Sequence, residues 1–264
     1  MKHKHTVICH VCGGVAVVCL EKEINVSCGD YFDGCRKYSK DIGSTPLWEC
    51  TQCGFASFKE VADWHEDRFR ADIYNNDYYL GDRPFLEERP KKLAAWLTAA
   101  LSPCSLLDYG GGNGQLARLL TSQGFEAACY DPFYGGGGLP QISSEVVTAF
   151  EVVEHVPDQY SLFREMASLC RRDGVIIFST LLKTMHLKDD WWYASPRNGH
   201  ISFHTKKSIN LLLSRLSLHH HSLSREIHLA AFTKESLMRL INIKTISISA
   251  DPLFHFTDRW SALK

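Results

Sequence analysis

The sequence predicts an α/β fold: a mostly parallel sheet with helices on both faces, preceded by a small cysteine-rich module and a helical connector. Three observations carry that expectation. Strand-like and helical segments alternate after Pro103. The stretch "LLDYGGGNGQLARLL", Leu106 to Leu120, runs from an apolar segment through one acid and a glycine cluster straight into a helix. Seven of the ten cysteines lie before Phe55. The expected organisation is a module over 1–57, a connector over 58–103 and the α/β domain over 104–264.

A chain of 264 residues and 29.9 kDa has room for one α/β domain and something small beside it. Its hydrophobic fraction, 45%, is ordinary for a soluble globular protein. A formal charge of −1 supplies no global field to draw in nucleic acid. No apolar run approaches a membrane span, and the start "MKHKHTVICH" has no apolar core of a signal peptide. Cysteines in a chain without an export signal point to thiols or metal rather than disulfides, so a cytoplasmic protein is expected.

Each end of the cysteine-rich stretch carries a C-x-x-C followed by glycine: "CHVCGG" with Cys9 and Cys12, and "WECTQCGF" with Cys50 and Cys53. That spacing lets two thiolates face one ion while glycine lets the backbone turn beneath it. Two such knuckles joined by the strand-like "VAVVCL" and "PLWEC" form the pattern of a zinc ribbon with a structural Zn²⁺. A segment this small has too little core to fold unaided. Free reduced thiols are the alternative; paired knuckles favour zinc. Cys19 reads as core, and Cys28 and Cys35 have no paired spacing. In the connector, Leu93, Trp96, Leu97 and Leu101 have helical spacing ending at "SPC", and Tyr74 to Tyr79 form either interdomain packing or a lid.

After Pro103, "CSLLDY" reads as a buried strand, "GQLARLLTSQGF" as a helix, and "EAACYD" as a second strand. "EVVTAFEVVEHV" holds a third strand, "SLFREMASLCRRDG" is a helix ending at Gly174, and "GVIIFSTL" is a further strand. A helix around "KKSINLLLSRL" and the apolar "EIHLAAF" follow. Ligands in such sheets bind beyond the carboxyl ends of the strands, where the glycine loop falls. Gly110, Gly111, Gly112 and Gly114 let the backbone approach a ligand, but Gln115 stands where a dinucleotide fingerprint needs glycine, and no G-K-[ST] follows. Asp108 before the glycines would repel pyrophosphate and attract a cation. Asp131 closes the next strand, placed for ribose hydroxyls. Two acids and bare backbone suit a cationic nucleoside.

With "YDPF" and "AFEVVEHVPD" following it, this stretch resembles the class I S-adenosylmethionine-dependent methyltransferases, over roughly Leu106 to Leu182. The resemblance implies a Rossmann-like sheet and S-adenosylmethionine as methyl donor. It places the loop of Asp108, Gly110, Gly112, Asn113 and Gly114 around the methionine part, Asp131 on the ribose, and Pro132 and Phe133 beside the adenine. Phe150 and Glu151 complete the implied cofactor set. The whole chain is similar to bacterial methyltransferases with an amino-terminal zinc ribbon and a "YNNDY" segment, which often accompany polysaccharide or secondary-metabolite genes. That moves Tyr74 to Tyr79 towards a lid.

"FEVVEHV" puts Glu151, Glu154 and His155 just after a strand, and "DWWYASPRNGHISFHTKKS" adds His200 and His204. Carboxylates with imidazoles suit Mg²⁺ or Mn²⁺, or a general base, and both readings stand for His155 and His200. E-x-x-E-H with a later histidine resembles metal-dependent O-methyltransferases, in which the metal binds the acceptor oxygens. The same dipeptide also occurs in relatives that bind no metal. Trp191, Trp192 and Tyr193 read as core or as an acceptor wall, and His219 to His221 as solvated surface after a strand-like "LSL".

The expected function is methyl transfer to a small molecule or glycan intermediate, O-methylation ahead of C-methylation. Two alternatives stand below it: an RNA 2′-O-methyltransferase gripping nucleic acid through the ribbon, against which the balanced charge there speaks, and a non-catalytic S-adenosylmethionine-binding module.

Overall fold

The computed structural model describes residues 6–35, 38, 40–78, 88–132, 134, 139–141, 143–184, 187 and 191–241. Tyr79 and Phe133 lie outside them, as do 135–138 of the glycine-heavy loop. In chain order the elements begin with β1 (Thr6–Ile8), β2 (Val15–Glu23), α1 (Cys28–Asp33), β3 (Ser44–Cys50), β4 (Ala56–Ser57), α2 (Lys59–Ala62) and α3 (Glu66–Asp72). Next come α4 (Arg89–Ala100), β5 (Ser105–Tyr109), α5 (Gln115–Thr121), β6 (Glu126–Tyr130), β7 (Ser144–Ala149), a one-turn 3-10 helix (Val153–His155) and α6 (Gln159–Leu169). The last are β8 (Cys170–Ser179), a second 3-10 turn (Pro196–Asn198), β9 (Ser202–Phe203), α7 (Lys206–Ser214), β10 (His219–Ser222), β11 (Ile227–Ala231) and α8 (Lys234–Ile241). No helix among the described residues is long and apolar enough to cross a membrane.

The chain divides into two compact units that cut across the expected segments. One comprises Met1–Arg83, Val153–Tyr160 and Thr180–Leu212; the other comprises Pro84–Val152, Ser161–Ser179 and Leu213–Lys264.

The first unit is built on an antiparallel sheet ordered β1-β2-β3-β4-β9. β2 pairs with β3 from Ala16 opposite Cys50 to Glu23 opposite Ser44. The ladder is interrupted at Cys19, the extra residue of a bulge between Val18 and Leu20. The bulge turns Cys19 outward: it is exposed, not core as its apolar surroundings in sequence suggested, and its thiol donates to the Leu47 carbonyl at 3.3 Å. Leu47 and Trp48 of β3 are both buried although successive residues point to opposite faces, and Phe58 and Val61 are buried after them. Ser27 and Asp30 make a reciprocal capping box at the start of α1. The sheet closes on β9, where Ala56 and Ser57 pair with Phe203 and Ser202.

The second unit holds a six-stranded sheet ordered β10-β11-β8-β7-β5-β6. β6, β5, β7 and β8 run parallel, and β11 and β10 continue the sheet antiparallel. Continuous apolar runs fit strands covered on both faces: Leu107, Val147, Ile176 and Phe178 are all essentially inaccessible. Because β5 is flanked by β6 on one side and β7 on the other, the chain reverses its winding there, and the glycine loop sits at that switch point.

Two sequence expectations are corrected here. The helix expected to reach Gly174 ends at Leu169, and Cys170–Asp173 already belong to β8. Gly174 is not a helix cap. A Cβ there would stand 2.5 Å from the Glu145 carbonyl oxygen, beside the irregularity in the β7–β8 ladder. The strand-like "LSL" is a turn with Ser217 at φ 57°, and the strand begins one residue later at His219. His219 and His221 face solvent as expected, whereas His220 stacks on Phe178 at 6.2 Å.

Candidate active site and metal centres

The carboxyl end of β5 delivers Asp108 and Tyr109 into the glycine loop. Gly110 and Gly112 both have positive φ, 71° and 57°, which L side chains adopt only with strain. A Cβ on Gly110 would meet Val152 Cγ2 at 2.5 Å, while one on Gly112 would meet nothing within 4 Å. Gly112 therefore presents bare backbone to open space. Its amide donates to Asp131 Oδ2 at 2.9 Å, which joins the loop to the end of β6. Asn113 Oδ1 accepts from the Gln115 amide at 3.1 Å and starts α5. The loop borders an open cavity of about 710 Å³, lined among others by Gly112, Asn113, Gly114, Arg118, Cys129 and Asp131.

Asp108 is buried beneath this loop rather than exposed to the cavity. It accepts from Thr148 Oγ1 at 2.9 Å, and a Cβ on Gly111 would lie 2.2 Å from its Oδ2. Burial pushes its carboxyl up to about 7 against the pull of Thr148, and Asp131 adds to the rise. Past β7, Phe150 packs edge-on against Trp96 at 6.4 Å. Glu151 holds φ 56°, rare for a side-chain-bearing residue, where its amide donates to Ser179 Oγ at 2.7 Å and its Oε1 accepts from the same hydroxyl at 3.1 Å. Strain of this kind costs about 1–3 kcal/mol and concentrates at functional sites. The second unit thus offers what a nucleoside with a cationic tail requires: backbone with no side chain in the way, and a carboxylate at the next strand end. Pro132 adjoins Asp131 and is exposed.

In the first unit, the side chains of Cys9, Cys12, Cys50 and Cys53 converge, their sulfurs all within 4.8 Å of one another. The Cys9–Cys53 and Cys12–Cys50 separations are 3.7 and 3.4 Å. At a zinc–sulfur bond of about 2.3 Å, a tetrahedron of thiolates has edges of about 3.8 Å, so the set fits Zn²⁺. Gly13 and Gly54, at φ 76° and 72°, turn the chain beneath each pair, and their amides donate back to the Cys9 and Cys50 carbonyls. The hydrogen bond from Cys53 pulls the Cys9 thiol down to about 5 and pushes Cys53 itself up.

A second convergence in the same unit joins Glu154, His155 and His200, one ligand atom of each within 4.8 Å of the others. Glu151 is not among them. Glu154 is fully buried, with Oε1 3.8 Å from His155 Nε2. His200 is buried, its Nδ1 2.8 Å from the Tyr193 carbonyl oxygen and 3.9 Å from Cys28 Sγ. The His155 and His200 rings meet edge-on at 4.9 Å. Tyr74 reaches His155 Nδ1 through its hydroxyl at 3.2 Å, and Tyr78 donates to the Asn198 carbonyl at 3.3 Å. Arg197 donates to the Ile73 carbonyl and to Asn75 Oδ1, fastening the tyrosine segment to the Pro196–Asn198 turn. Trp192 and Tyr193 are buried, and Tyr193 packs behind His200 at 4.5 Å. Sequence reasoning missed Tyr74 as a partner of His155 and Cys28 as a neighbour of His200. Gly199 carried a trace of the first, since a Cβ there would lie 2.5 Å from the Tyr74 hydroxyl.

A six-stranded sheet with four adjacent parallel strands and a glycine loop at its switch point matches the fold of the class I S-adenosylmethionine-dependent methyltransferases. The methyltransferase domain family matches residues 85–223, and the chain belongs to it. Among curated proteins it is 31% identical to the ubiquinone biosynthesis O-methyltransferase of Vibrio campbellii, over 30% of this chain and 45% of that one. It is 46% identical over 41 residues to that of Neisseria meningitidis serogroup C, 16% of this chain and 17% of the relative. The chain thus spans less than half the length of either. Among solved structures it is similar to the 1,6-didemethyltoxoflavin N1-methyltransferase of Burkholderia thailandensis, with 15% identity, 68% of this chain and 94% of that one covered, and a TM-score of 0.45. For magnesium protoporphyrin IX methyltransferase from Synechocystis the figures are 18%, 67%, 93% and 0.43.

Proposed function

We propose that the chain transfers the methyl group of S-adenosylmethionine to a hydroxyl of a small-molecule or glycan acceptor. Gly110, Gly112, Asn113 and Gly114 would hold the methionine part and Asp131 the ribose, with Asp108 supporting the loop from beneath. The bound donor supplies an electrophilic methyl group; what the protein must add is alignment and removal of the acceptor's proton. The observation that carries the hydroxyl reading is the convergence of Glu154, His155 and His200. One carboxylate and two imidazoles suit Mn²⁺ better than Mg²⁺, which prefers oxygen ligands alone. An ion held there would lower the cost of deprotonating a coordinated acceptor oxygen, whereas without one His155 or His200 would take the proton directly. The matching stretches of curated O-methyltransferases favour oxygen over carbon as the accepting atom. Zinc at the four cysteines has a structural part in this reading.

The test incubates the zinc-loaded chain with isotopically labelled methyl donor, Mn²⁺ and a panel of phenols, sugar nucleotides and enolisable ketones, followed by mass spectrometry. Labelled ethers are expected. Label appearing only on carbon would reject the oxygen assignment.

A further inference from the structure

His204 is fully buried yet is not one of the three converging ligands. Its Nδ1 lies 3.0 Å from Ser208 Oγ and its Nε2 lies 3.0 Å from Gln159 Oε1. The Gln159 amide nitrogen donates to the carbonyl oxygens of Val153 and Val156. Its Oε1 therefore faces His204 as an acceptor, and the imidazole must carry a proton on Nε2. Val153 and Val156 bracket Glu154 and His155, so one amide group grips the 3-10 turn on which both ligands stand. At the other end, the Ser208 amide donates to Thr205 Oγ1 at 3.0 Å, and Thr205 Oγ1 donates to the Cys53 carbonyl at 2.6 Å. The network runs unbroken from a cysteine knuckle to the ligand turn.

A second connection runs through backbone. β3 ends at Cys50 and pairs with β4, which pairs with β9, the strand two residues beyond His200. Between them, the Ile201 amide donates to the Glu154 carbonyl at 2.8 Å, and Ser202 Oγ donates to the Val156 carbonyl at 3.0 Å. Side-chain and backbone routes both leave the Cys50–Cys53 turn, and both end on the residues that present Glu154, His155 and His200.

We propose that the cysteine site is a positioning device: metal bound by Cys9, Cys12, Cys50 and Cys53 sets the mutual placement of Glu154, His155 and His200, with His204 and Gln159 as the relaying side chains. The proposal rests on the reading of those three residues as an ion and acceptor site. A one-turn 3-10 helix has little hydrogen bonding of its own to hold its shape. Four metal–sulfur bonds would fix the knuckle from which its supports hang. Without them the crowded thiols keep only long contacts with one another and the amides of Gly14 and Cys53, which donate to Cys12 Sγ and Cys50 Sγ. Coupling between two sites is reciprocal, so each would also tighten the other's hold on its ion.

The test uses the full chain, zinc-loaded and zinc-stripped, with the variants His204→Gln and the near-isosteric Thr205→Val. Mn²⁺ uptake is followed by electron paramagnetic resonance, the His200 imidazole Nδ1–H by ¹⁵N NMR, and S-adenosylhomocysteine affinity by calorimetry. Stripping and His204→Gln are each expected to lower Mn²⁺ affinity by about tenfold or more, the range in which supporting partners of metal ligands act. Thr205→Val should show a smaller loss. The His200 signal should shift in all three, with S-adenosylhomocysteine affinity held within about twofold, since its proposed residues lie in the other unit. Unchanged Mn²⁺ affinity and an unchanged His200 signal in the stripped chain and in Thr205→Val would overturn the proposal. A wild type that takes up no Mn²⁺ while its His200 signal still responds to zinc would remove the ion from the cluster but support the positioning.

Discussion

The Nδ1 of His200 sits 2.8 Å from the carbonyl oxygen of Tyr193. A carbonyl only accepts, so the ring donates through Nδ1 and a neutral His200 presents its lone pair on Nε2. Metal-ligating histidines are oriented in this way by the hydrogen bond of the other nitrogen. His200→Ala is therefore expected to lower Mn²⁺ affinity by about a hundredfold, a lost ligand costing more than a lost supporting group. Zinc content should stay at one ion per chain. Titration with Mn²⁺ monitored by water proton relaxation checks the first, and elemental analysis the second. An affinity within threefold of wild type would remove His200 from the ion site.

Among the described residues lining the cavity beside the glycine loop, Asp131 is the only carboxylate. Its Oδ2 already accepts from the Gly112 amide, and the hydroxyls of the proposed ribose would donate to the carboxylate's remaining lone pairs. Hydrogen bonds to charged groups contribute about 1.5–3 kcal/mol each, so Asp131→Ala should weaken S-adenosylhomocysteine binding by about a hundredfold. Calorimetry on the variant, with Mn²⁺ uptake as a control of the other unit, decides the matter.

Two neighbouring glycines are expected to fail in different ways when given a methyl group. In Gly110→Ala the new Cβ meets Val152 at 2.5 Å on top of the positive φ, so folding should lose about 3 kcal/mol. Gly112→Ala meets no neighbour and carries the backbone strain alone, about 1 kcal/mol. Its methyl group would project into the space assigned to the donor, so its S-adenosylhomocysteine affinity should fall by more than its stability does. Thermal melts with calorimetry on both variants separate the two effects.

What was legible in the sequence is what is local. The cysteine knuckles announce themselves because each pair and its glycine lie within six residues, and the glycine loop because an apolar strand, its turn and its helix are contiguous. β9 could not be read: two residues carry no alternation, and its partner in β4 is more than a hundred positions away. The joining of 1–83 with 153–160 and 180–212 follows from that pairing and was invisible for the same reason. Gly174 misled because glycine after a helix usually signals a left-handed cap, while here it relieves contact with the Glu145 carbonyl. Gln159 looked like an ordinary polar residue, and His204 was singled out only as one more imidazole beside His200. Only their burial reveals that each must find a partner, and that the partners lie on other elements.

The buried carboxyl of Asp108 makes the second unit sensitive to pH in a direction opposite to that of most acids. Its value is raised from the ordinary 3.8 to about 7, first by burial and then by the charge of Asp131, with Thr148 opposing. A raised carboxyl means that the folded chain holds a proton the unfolded chain has already released. Asp108 therefore contributes its full stability below pH 3.8 and loses it progressively as pH rises to about 7, above which the ionised group is a constant burden. The displacement corresponds to about 4 kcal/mol between protonation states. An asparagine cannot ionise and keeps an oxygen for Thr148, so Asp108→Asn should stabilise the ligand-free chain at pH 8.5 by about 2 kcal/mol or more, with little effect at pH 4. Denaturant titrations of both proteins across that range would check it. A wild-type advantage that grows with pH would mean that the buried carboxylate is compensated in the fold by a cation.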